Sequence, residues 1–399
     1  MQCALLDQIR EQPGGEALLA AADEGVHLVG GAVRDLLRAE RPRELDVIVE
    51  GKIEPLLRAL GGEVVLYDRF GTASVSLGDA RIDVARARRE RYSHPGALPV
   101  VEPASVADDL LRRDFTVNAI AVSLTDAEMR AAPHAEADIA RGVLRVLHDE
   151  SFIDDPTRLL RLARYRARLG FEVEAHTARL AAKAVSSRAV DTVSGARIGA
   201  ELRLALGEAD AVASLAALSE LGVLDTLHPR LRFEEPVARM TLALLPEDGR
   251  PDLALLASLV IPLVLRAGGD PHAEIVALLD RWDFPAGDRD RVVAAAVAVP
   301  RSLDELPAAE RPSALRAVAR RVPVEGVALA GALGCEQPAR RWLEEVRHVR
   351  LEITGEDLLG AGIPEGPEIG RRLEAVLRLR LDDELAVGRE AELDAALEA

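Results

Sequence analysis

Residues His27–Gly51 read HLVGGAVRDLLRAERPRELDVIVEG, and this stretch decides the fold. An apolar run, a paired glycine and a helical pattern lead to a second apolar run that contains Glu44 and Asp46. Side chains alternate along a strand, so these two carboxylates share one face, about 7 Å apart along the chain. Carboxylates that close repel each other unless a cation lies between them, and hard oxygen ligands suit Mg²⁺. The pattern therefore predicts a magnesium site on a strand.

The paired glycine, Gly30 and Gly31, predicts a tight turn between a strand and a helix. Without side chains in the way, its backbone N–H groups can approach phosphate oxygens, and Arg34 in the next helical turn adds a guanidinium. Read separately, the glycines are typical of an ordinary turn and the carboxylates of a solvated strand edge. Their order and spacing favour one cleft in which phosphates and metal meet.

The composition excludes several classes of protein. At 399 residues the chain is long enough for several domains, and only 3% of its residues are aromatic, which is typical of packed helices with small aliphatic cores. The two cysteines, Cys3 and Cys335, lie far apart and match no metal spacing. The longest apolar run, Leu253–Leu265, contains Pro262 and is too short to span a bilayer. We expect a cytoplasmic protein without a membrane partner.

The net charge of −17 is unevenly distributed. Arg81–Arg91 and Arg158–Arg168 are basic islands in an acidic chain, and binding to a nucleic acid depends on such local fields. Solvated helix faces are the alternative interpretation of either island. The patterning before residue 150 predicts mixed strands and helices, and nearly everything after Asp155 is helical.

A third carboxylate is needed to hold a second metal or to orient an attacking hydroxyl. Asp83, in ARIDVARARRERY (80–92), lies on a later predicted strand and is the best candidate. The alternative is that Asp83 caps a turn or pairs with an arginine.

The segment DDLLRRDFTVNAIAV (108–122) places polar groups directly before an apolar run. Arg113 can reach a triphosphate, while Asp114 and Asn118 offer hydrogen bonds to ribose hydroxyls. A helix cap with local ion pairs is the alternative.

The segment DDPTRLLRLARYRARLGF (154–171) predicts a helix that starts at Pro156, with Asp155 and Arg158 as neighbours. A carboxylate accepts from an exocyclic amino group and a guanidinium donates to a ring nitrogen, so this pair can select cytosine and adenine over uracil and guanine. Arg161 and Arg164 turn progressively away and suit phosphates better. An ordinary surface ion pair is the alternative.

Together these motifs resemble the class II tRNA nucleotidyltransferase and poly(A) polymerase family of the polymerase β superfamily. The resemblance rests on GGAVRD (30–35), ELDV (44–47), DVARARRERYSHPGALPVVEP (83–103), DLLRRDFTVNA (109–119) and DDPTRLLRLARY (154–165), and more weakly on VSGARIGAEL (193–202) and ITGEDLLGAGIPEGPEIGRRL (353–373). It implies an α+β protein: a mixed-sheet nucleotidyltransferase head (1–140) followed by an all-α neck (141–205), body (206–350) and tail (351–399).

The resemblance also implies residue roles. Gly31 and Arg34 would contact the incoming nucleotide, Glu44 and Asp46 would bind Mg²⁺, and Arg113 would touch the triphosphate or ribose. The nucleotide pocket would consist of Asp155, Arg158, Arg161 and Arg164. The chain departs from the family pattern at Glu44, Asp154 and Ala196, where aspartate, glutamate and glutamate are usual.

The expected function is addition of C and A, from CTP and ATP, to the 3′ end of tRNA. Poly(A) synthesis, CC-only addition and A-only addition stay open, although the complete segment Arg86–Ser105 resembles the mobile loop of enzymes that add the terminal A. A catalytically weak RNA-binding paralogue is favoured by Glu44 and the acidic charge, and disfavoured by the arginine pocket. Whether the chain is a monomer or a homodimer is open.

Overall fold

The computed structural model describes residues 2–67, 71–266 and 269–399 and divides into two compact units. The first comprises residues 1–194 and 220–227, and the second comprises 195–219 and 228–399. The predicted α+β class, a mixed sheet with helices followed by helical regions, is confirmed.

Within the described ranges, every strand lies in the first unit. In chain order they are β1 (Val26–Val29), β2 (Leu45–Val49), β3 (Glu63–Tyr67), β4 (Thr72–Leu77), β5 (Ala80–Arg86), β6 (Arg88–Arg91), β7 (Val100–Pro103), β8 (Ile120–Ser123), β9 (Met129–Ala131), β10 (Val143–Leu144) and β11 (Glu172–Val173). Seven of them form one sheet in the order β3-β4-β5-β2-β1-β8-β9, while β6 pairs with β7 and β10 with β11. The predicted strands on both sides of the paired glycine are confirmed as β1 and β2.

The large sheet is mixed because β2 and β5 pair in parallel while the other neighbours are antiparallel. The register of the parallel pair sets Asp46 opposite Asp83. The residues next to these aspartates along each strand, such as Leu45, Val47 and Ile82, point to the opposite face and are buried. Strand alternation thus sends the carboxylates to one face and the apolar residues to the other.

Helices alternate with these strands along the first unit. In the first unit they are α1 (Gln2–Arg10), α2 (Gly15–Ala21), α3 (Gly31–Leu37), α4 (Glu54–Leu60), α5 (Val106–Leu111), α6 (Ala135–Arg141), α7 (Ser151–Asp154), α8 (Thr157–Leu169) and α9 (Ala175–Ser186). Helix α5 begins with a capping box, in which the Ser105 hydroxyl accepts from the Asp108 N–H and the Asp108 carboxylate accepts from the Ser105 N–H. This cap fixes the start of the segment that leads to β8.

The second unit is helical throughout the residues that the structure describes. The remaining helices, of which α12 belongs to the first unit, are α10 (Gly195–Leu206), α11 (Ala211–Glu220), α12 (Val223–Leu227), α13 (Glu235–Leu244), α14 (Pro251–Leu265), α15 (Pro271–Arg281), α16 (Ala286–Val297), α17 (Val299–Ala308), α18 (Pro312–Ala319), α19 (Val324–Ala330), α20 (Glu336–Glu344), α21 (Gly355–Gly360), α22 (Pro367–Leu381) and α23 (Arg389–Glu398). Helix α14 is buried almost all round, which explains its unbroken apolar sequence. None of the helices in the described ranges is long and apolar enough to cross a membrane.

Candidate active site

Three carboxylates meet on one face of the sheet. Glu44 directly precedes β2, Asp46 lies on β2 and Asp83 lies opposite Asp46 on β5. One carboxylate oxygen from each lies within 4.8 Å of the other two. The predicted third carboxylate therefore joins the predicted pair, and the cluster offers only hard oxygen ligands, which is the donor set that a divalent cation such as Mg²⁺ requires.

The electrostatics of this cluster also fit a cation. Burial, together with the negative charges of Glu44 and Asp83, raises the pKa of Asp46 to about 7. The raised pKa means that the negative charges of the cluster repel one another, and a bound divalent cation would offset this repulsion. The residues present thus fit a divalent cation.

Asp83 also has a basic neighbour. The Arg81 guanidinium donates to both oxygens of Asp83, from Nε and from an Nη atom, each at 3.0 Å. The Ser74 hydroxyl, on β4, donates to the same carboxylate. Asp83 therefore pairs with an arginine, as the alternative interpretation predicts, and also belongs to the carboxylate cluster. The exposed Arg81 side chain partly neutralises the charge of Asp83.

The glycine turn connects β1 to α3 as the sequence predicts. Gly30 has a φ of 70°, and a Cβ atom there would lie 2.7 Å from an Nη atom of Arg113. The backbone conformation therefore requires glycine at this position, and a side chain there would also displace the Arg113 guanidinium. Gly31 is the first residue of α3.

Arg34 is directed inward rather than toward solvent, with 2% of its surface exposed. It donates to the carboxylate of Asp35 at 2.8 Å and to the side-chain oxygen of Asn118 at 2.6 Å. The predicted phosphate contact by Arg34 stays a prediction, and in this structure the guanidinium is engaged by these two partners.

Arg113 shares a buried carboxylate with Arg112. Both arginines pair with Asp109, at 3.0 Å for Arg113 and 2.9 Å for Arg112. Burial works to raise the pKa of Asp109, but the two guanidinium charges outweigh it and the pKa lies below its ordinary value. Arg113 also donates to the backbone carbonyl of Asn118 at 3.3 Å, which holds its guanidinium beside the glycine turn.

Asp114 and Asn118 lie inside the unit and connect α3 to α8. Asn118 donates to Asp114 at 3.0 Å, and Arg161 donates to the other oxygen of Asp114 at 2.6 and 2.8 Å. Burial opposes ionisation, but the charge of Arg161 and the hydrogen bond from Asn118 hold the pKa of Asp114 well below its ordinary value. With Arg34, which also bonds Asn118, these residues form a continuous chain that we call the arginine–asparagine relay: Arg34, Asn118, Asp114 and Arg161.

The helix that carries Arg158 begins at Thr157, one residue later than predicted, and Asp155 lies before it. Asp155 has an extended backbone (φ −134°, ψ 90°), and α8 begins two residues later. The physical reason is Pro156, whose ring disfavours helical geometry in the residue before it. The Asp155 carboxylate accepts from the backbone and hydroxyl of Thr157, at 3.1 and 2.6 Å, and so caps α8. Of the two residues predicted to select the base, Asp155 thus caps α8 and Arg158 is the second residue of that helix.

Arg158 is buried and fixed by two neighbours. Its guanidinium donates to the Ser151 hydroxyl and to the Arg112 carbonyl, both at 2.7 Å. It therefore binds α8 to α7 and to the end of α5, in a single orientation. Its role in base selection stays a prediction.

Sequence reasoning missed Tyr165. Its ring meets Phe115 edge-on, with centroids 5.8 Å apart. Around the same ring lie the guanidinium carbons of Arg34 (5.7 Å), Arg161 (5.6 Å), Arg164 (5.1 Å) and Arg168 (5.6 Å). Such distances permit cation–π attraction, so the ring brings together two of the predicted pocket arginines, Arg161 and Arg164, with Arg34 and Arg168. The available signal was its spacing of four residues from Arg161 within an arginine-rich helix.

The segment predicted to resemble a mobile loop contains the β6–β7 hairpin. Glu90 on β6 accepts from Arg88 and Arg112, with ion-pair distances of 3.0 and 2.9 Å, and from the Tyr92 hydroxyl at 3.1 Å. Burial and the Glu90 charge raise the pKa of Tyr92 to about 12. The hairpin is thereby connected to the Arg112 and Asp109 cluster.

A cavity of about 320 Å³ opens beside two of the carboxylates. Its lining includes Asp46, Asp83, Arg81, Arg113 and Tyr67. The cavity therefore touches the acidic cluster, the arginine beside the glycine turn and the edge strand β3.

Comparison with known proteins shows relatives of this chain in both sequence and structure. Residues 26–145 match the poly A polymerase head domain. The chain is 33% identical to the A-adding tRNA nucleotidyltransferase of Geobacter sulfurreducens over 390 residues, 90% of this chain and 44% of that protein. It is 37% identical to the CC-adding tRNA nucleotidyltransferase of Deinococcus radiodurans over 258 residues, 60% of this chain and 67% of that protein. It spans less than half the length of the A-adding relatives that it matches.

The structure resembles that of the Thermotoga maritima CCA-adding enzyme complexed with tRNA CCA. The TM-score is 0.79 at 28% identity, and the match covers 99% of this chain and 98% of the other. The structural similarity thus extends beyond the matched head, residues 26–145, to both units of the chain.

Proposed function

Because the chain belongs to the tRNA nucleotidyltransferase and poly(A) polymerase family, we propose that it adds C and A, from CTP and ATP, to the 3′ end of tRNA. The observation that carries this proposal is the carboxylate cluster beside the glycine turn, with Glu44, Asp46 and Asp83 within 4.8 Å of one another. In the reaction the 3′ oxygen of the RNA bonds to the α-phosphorus of the nucleotide. The bond between the α-phosphorus and the oxygen that bridges it to the β-phosphorus breaks, and pyrophosphate leaves.

The three carboxylates of the cluster would have two different roles. Glu44 and Asp46 would hold Mg²⁺, and Asp83 would complete the set or orient the attacking hydroxyl. When bound, the metal supplies charge neutralisation for the phosphates and lowers the pKa of an oxygen that it binds. The extra methylene of Glu44 relative to aspartate does not keep its oxygen out of the cluster.

The nucleotide would lie on the side of the sheet that carries the glycine turn. Gly30 and Gly31 allow close approach of a phosphate, and Arg113 stands beside them. Arg34, Arg161 and Arg164 surround Tyr165 and create positive potential for the triphosphate, with the relay fixing the first two. Positioning and charge neutralisation are the main contributions that a protein makes to phosphoryl transfer.

Base selection is the proposed role of Asp155 and Arg158. Cytosine and adenine present an amino donor next to a ring-nitrogen acceptor, whereas uracil and guanine present the reverse. Arg158 is held in one orientation by Ser151 and the Arg112 carbonyl, which supports a preorganised reader of that edge. Residues 141–205 would then serve as the neck that reads the base, with 206–350 as body and 351–399 as an RNA-contacting tail.

Addition of the terminal A alone is the second candidate. Two observations favour it: the A-adding relatives among the similar proteins, and the complete β6–β7 hairpin in the segment that the sequence likens to the loop of A-adding enzymes. The intact hairpin disfavours a CC-only activity.

The test is extension of three tRNA transcripts that end before CCA, after C and after CC, with Mg²⁺ and each nucleotide singly and in pairs. Growth of the shortest transcript to CCA with CTP and ATP supports the first candidate, and extension of only the CC transcript by ATP supports the second. Asp46→Ala is the inactive control. Tight tRNA binding without extension of any transcript would refute both candidates and favour an RNA-binding paralogue.

A further inference from the structure

The order of strands gives the carboxylate cluster two different sides. Strands β1 and β8, with the glycine turn and Asn118, lie beyond β2 on one side. Strands β4 and β3 lie beyond β5 on the other side and end at the sheet edge. The proposed triphosphate side is the first of these, because it carries the arginine–asparagine relay.

Phosphoryl transfer places the attacking and leaving oxygens roughly in line across the phosphorus. If pyrophosphate leaves toward β1 and β8, the acceptor's 3′ hydroxyl must arrive from the β4 and β3 side. This step rests on the proposed function, and it assigns the terminal nucleotide of the acceptor to the surface over β3.

The register of the sheet shows what this surface contains. Across the strands, Val65 is opposite Ser74, Ser74 is opposite Asp83, and Asp83 is opposite Asp46. Opposite residues in a sheet point to the same face, so Val65 lies on the face of the carboxylates. Tyr67 is two residues further along β3 and therefore points to that face as well.

Both residues are unusually accessible for their type. Val65 is 53% exposed and Tyr67 is 51% exposed. An edge strand with exposed apolar side chains invites pairing with other molecules, and charges usually protect such strands. Here the aromatic ring instead lines the cavity that also contains Asp46, Asp83 and Arg81.

We propose that the ring of Tyr67 stacks on the terminal base of the acceptor RNA and so positions its 3′ hydroxyl at the carboxylates, with Val65 extending the apolar surface under the ribose. Aromatic stacking is indifferent to the identity of the base, because every base has a π-face. A stacking platform therefore suits an acceptor whose last nucleotide changes after each addition.

The experiment compares Tyr67→Phe and Tyr67→Leu with the wild type, using a tRNA transcript whose last nucleotide is 5-iodocytidine. Irradiation couples this base to an aromatic ring in contact with it, and peptide mapping locates the product. We expect a cross-link to Tyr67 in the wild type, none at this position in Tyr67→Leu, and retained stacking in Tyr67→Phe. The KM for tRNA should rise about 5- to 100-fold in Tyr67→Leu, with the KM for CTP and ATP unchanged and near-normal rescue by phenylalanine.

The matched control is Leu66→Ala, which alters the opposite face of the same strand at 58% exposure and should leave the KM for tRNA unchanged. Extension with the same KM in Tyr67→Leu, together with a cross-link elsewhere, would overturn the inference and leave the proposed function intact. A cross-link that depends on Tyr67 supports the inference even if no transcript is extended. A dimer that Tyr67→Leu dissociates would overturn it, because the edge strand would then serve a second copy.

Discussion

Asp46→Asn should make the metal-free protein more stable while abolishing nucleotide addition. The wild-type carboxylate is ionised at an unfavourable place, since burial and the charges of Glu44 and Asp83 raise its pKa from 3.8 to about 7. A shift of that size corresponds to about 4 kcal/mol, and screening by solvent at the exposed Glu44 reduces it to about 2–4 kcal/mol. Asparagine has nearly the same shape but no charge to bury.

The sign of the pH dependence follows from the direction of the shift. Below the ordinary pKa near 4, Asp46 is protonated in both the folded and unfolded protein and costs nothing. As the pH rises from 4 to about 7, the unfolded chain ionises more readily, so the wild type loses stability and the asparagine variant does not. The gap between them should be near zero at pH 4 and constant above pH 7.

The assay is calorimetry in EDTA from pH 4 to pH 8, monitoring the unfolding transition assigned to the first unit. A gain of 2–4 kcal/mol should raise that transition by about 2–4 °C per kcal/mol for a unit of this size. Added Mg²⁺ should narrow the gap, because it binds the wild type alone. Asp114→Asn is the control of opposite sign, since the pKa of Asp114 lies below its ordinary value and the charge there is stabilising. A gap that does not vary with pH, or a less stable Asp46→Asn protein at pH 8, would refute the reasoning.

Further predictions concern the same cleft. Glu44→Asp withdraws a carboxylate by about 1.5 Å and should weaken Mn²⁺ binding, measured by calorimetry, and kcat each by about tenfold; a gain in both would show that glutamate compromises the site. Gly30→Ala places a Cβ atom 2.7 Å from Arg113 at a φ of 70°, so the KM for CTP and ATP should rise about tenfold, and an unchanged KM in steady-state kinetics would contradict this packing. Arg81→Gln removes the guanidinium that holds Asp83, so Mn²⁺ should bind up to about fivefold more tightly by calorimetry, whereas weaker binding would mean that Arg81 organises the ligand.

Local pattern was sufficient for much of the site. Strand alternation put Glu44 and Asp46 on one face, and apolar flanks identified Asp83, because both signals depend only on residues close in sequence. Pro156 also indicates the extended conformation of Asp155, although the spacing to Arg158 is typical of a helix. In that case a steric rule within one dipeptide outweighed helical periodicity.

The remaining features depend on tertiary placement. Arg34 contacts Asn118 across 84 residues, and no local rule indicates that its guanidinium turns inward. The arginines around Tyr165 come from α8 and from α3, so their convergence requires the packing of these helices. Sequence periodicity identifies the face of a helix but not which neighbour covers it.

The parallel pairing of β2 with β5 has a consequence for how the protein folds. Strands β3, β4 and β5 are consecutive, so they can pair through short loops, whereas β2 joins β5 only after a longer closure with its greater entropic cost. Until that closure, Asp46 and Asp83 are apart and their repulsion is absent. Affinity for a divalent cation therefore arises only when β2 pairs with β5, and its appearance during refolding marks that pairing.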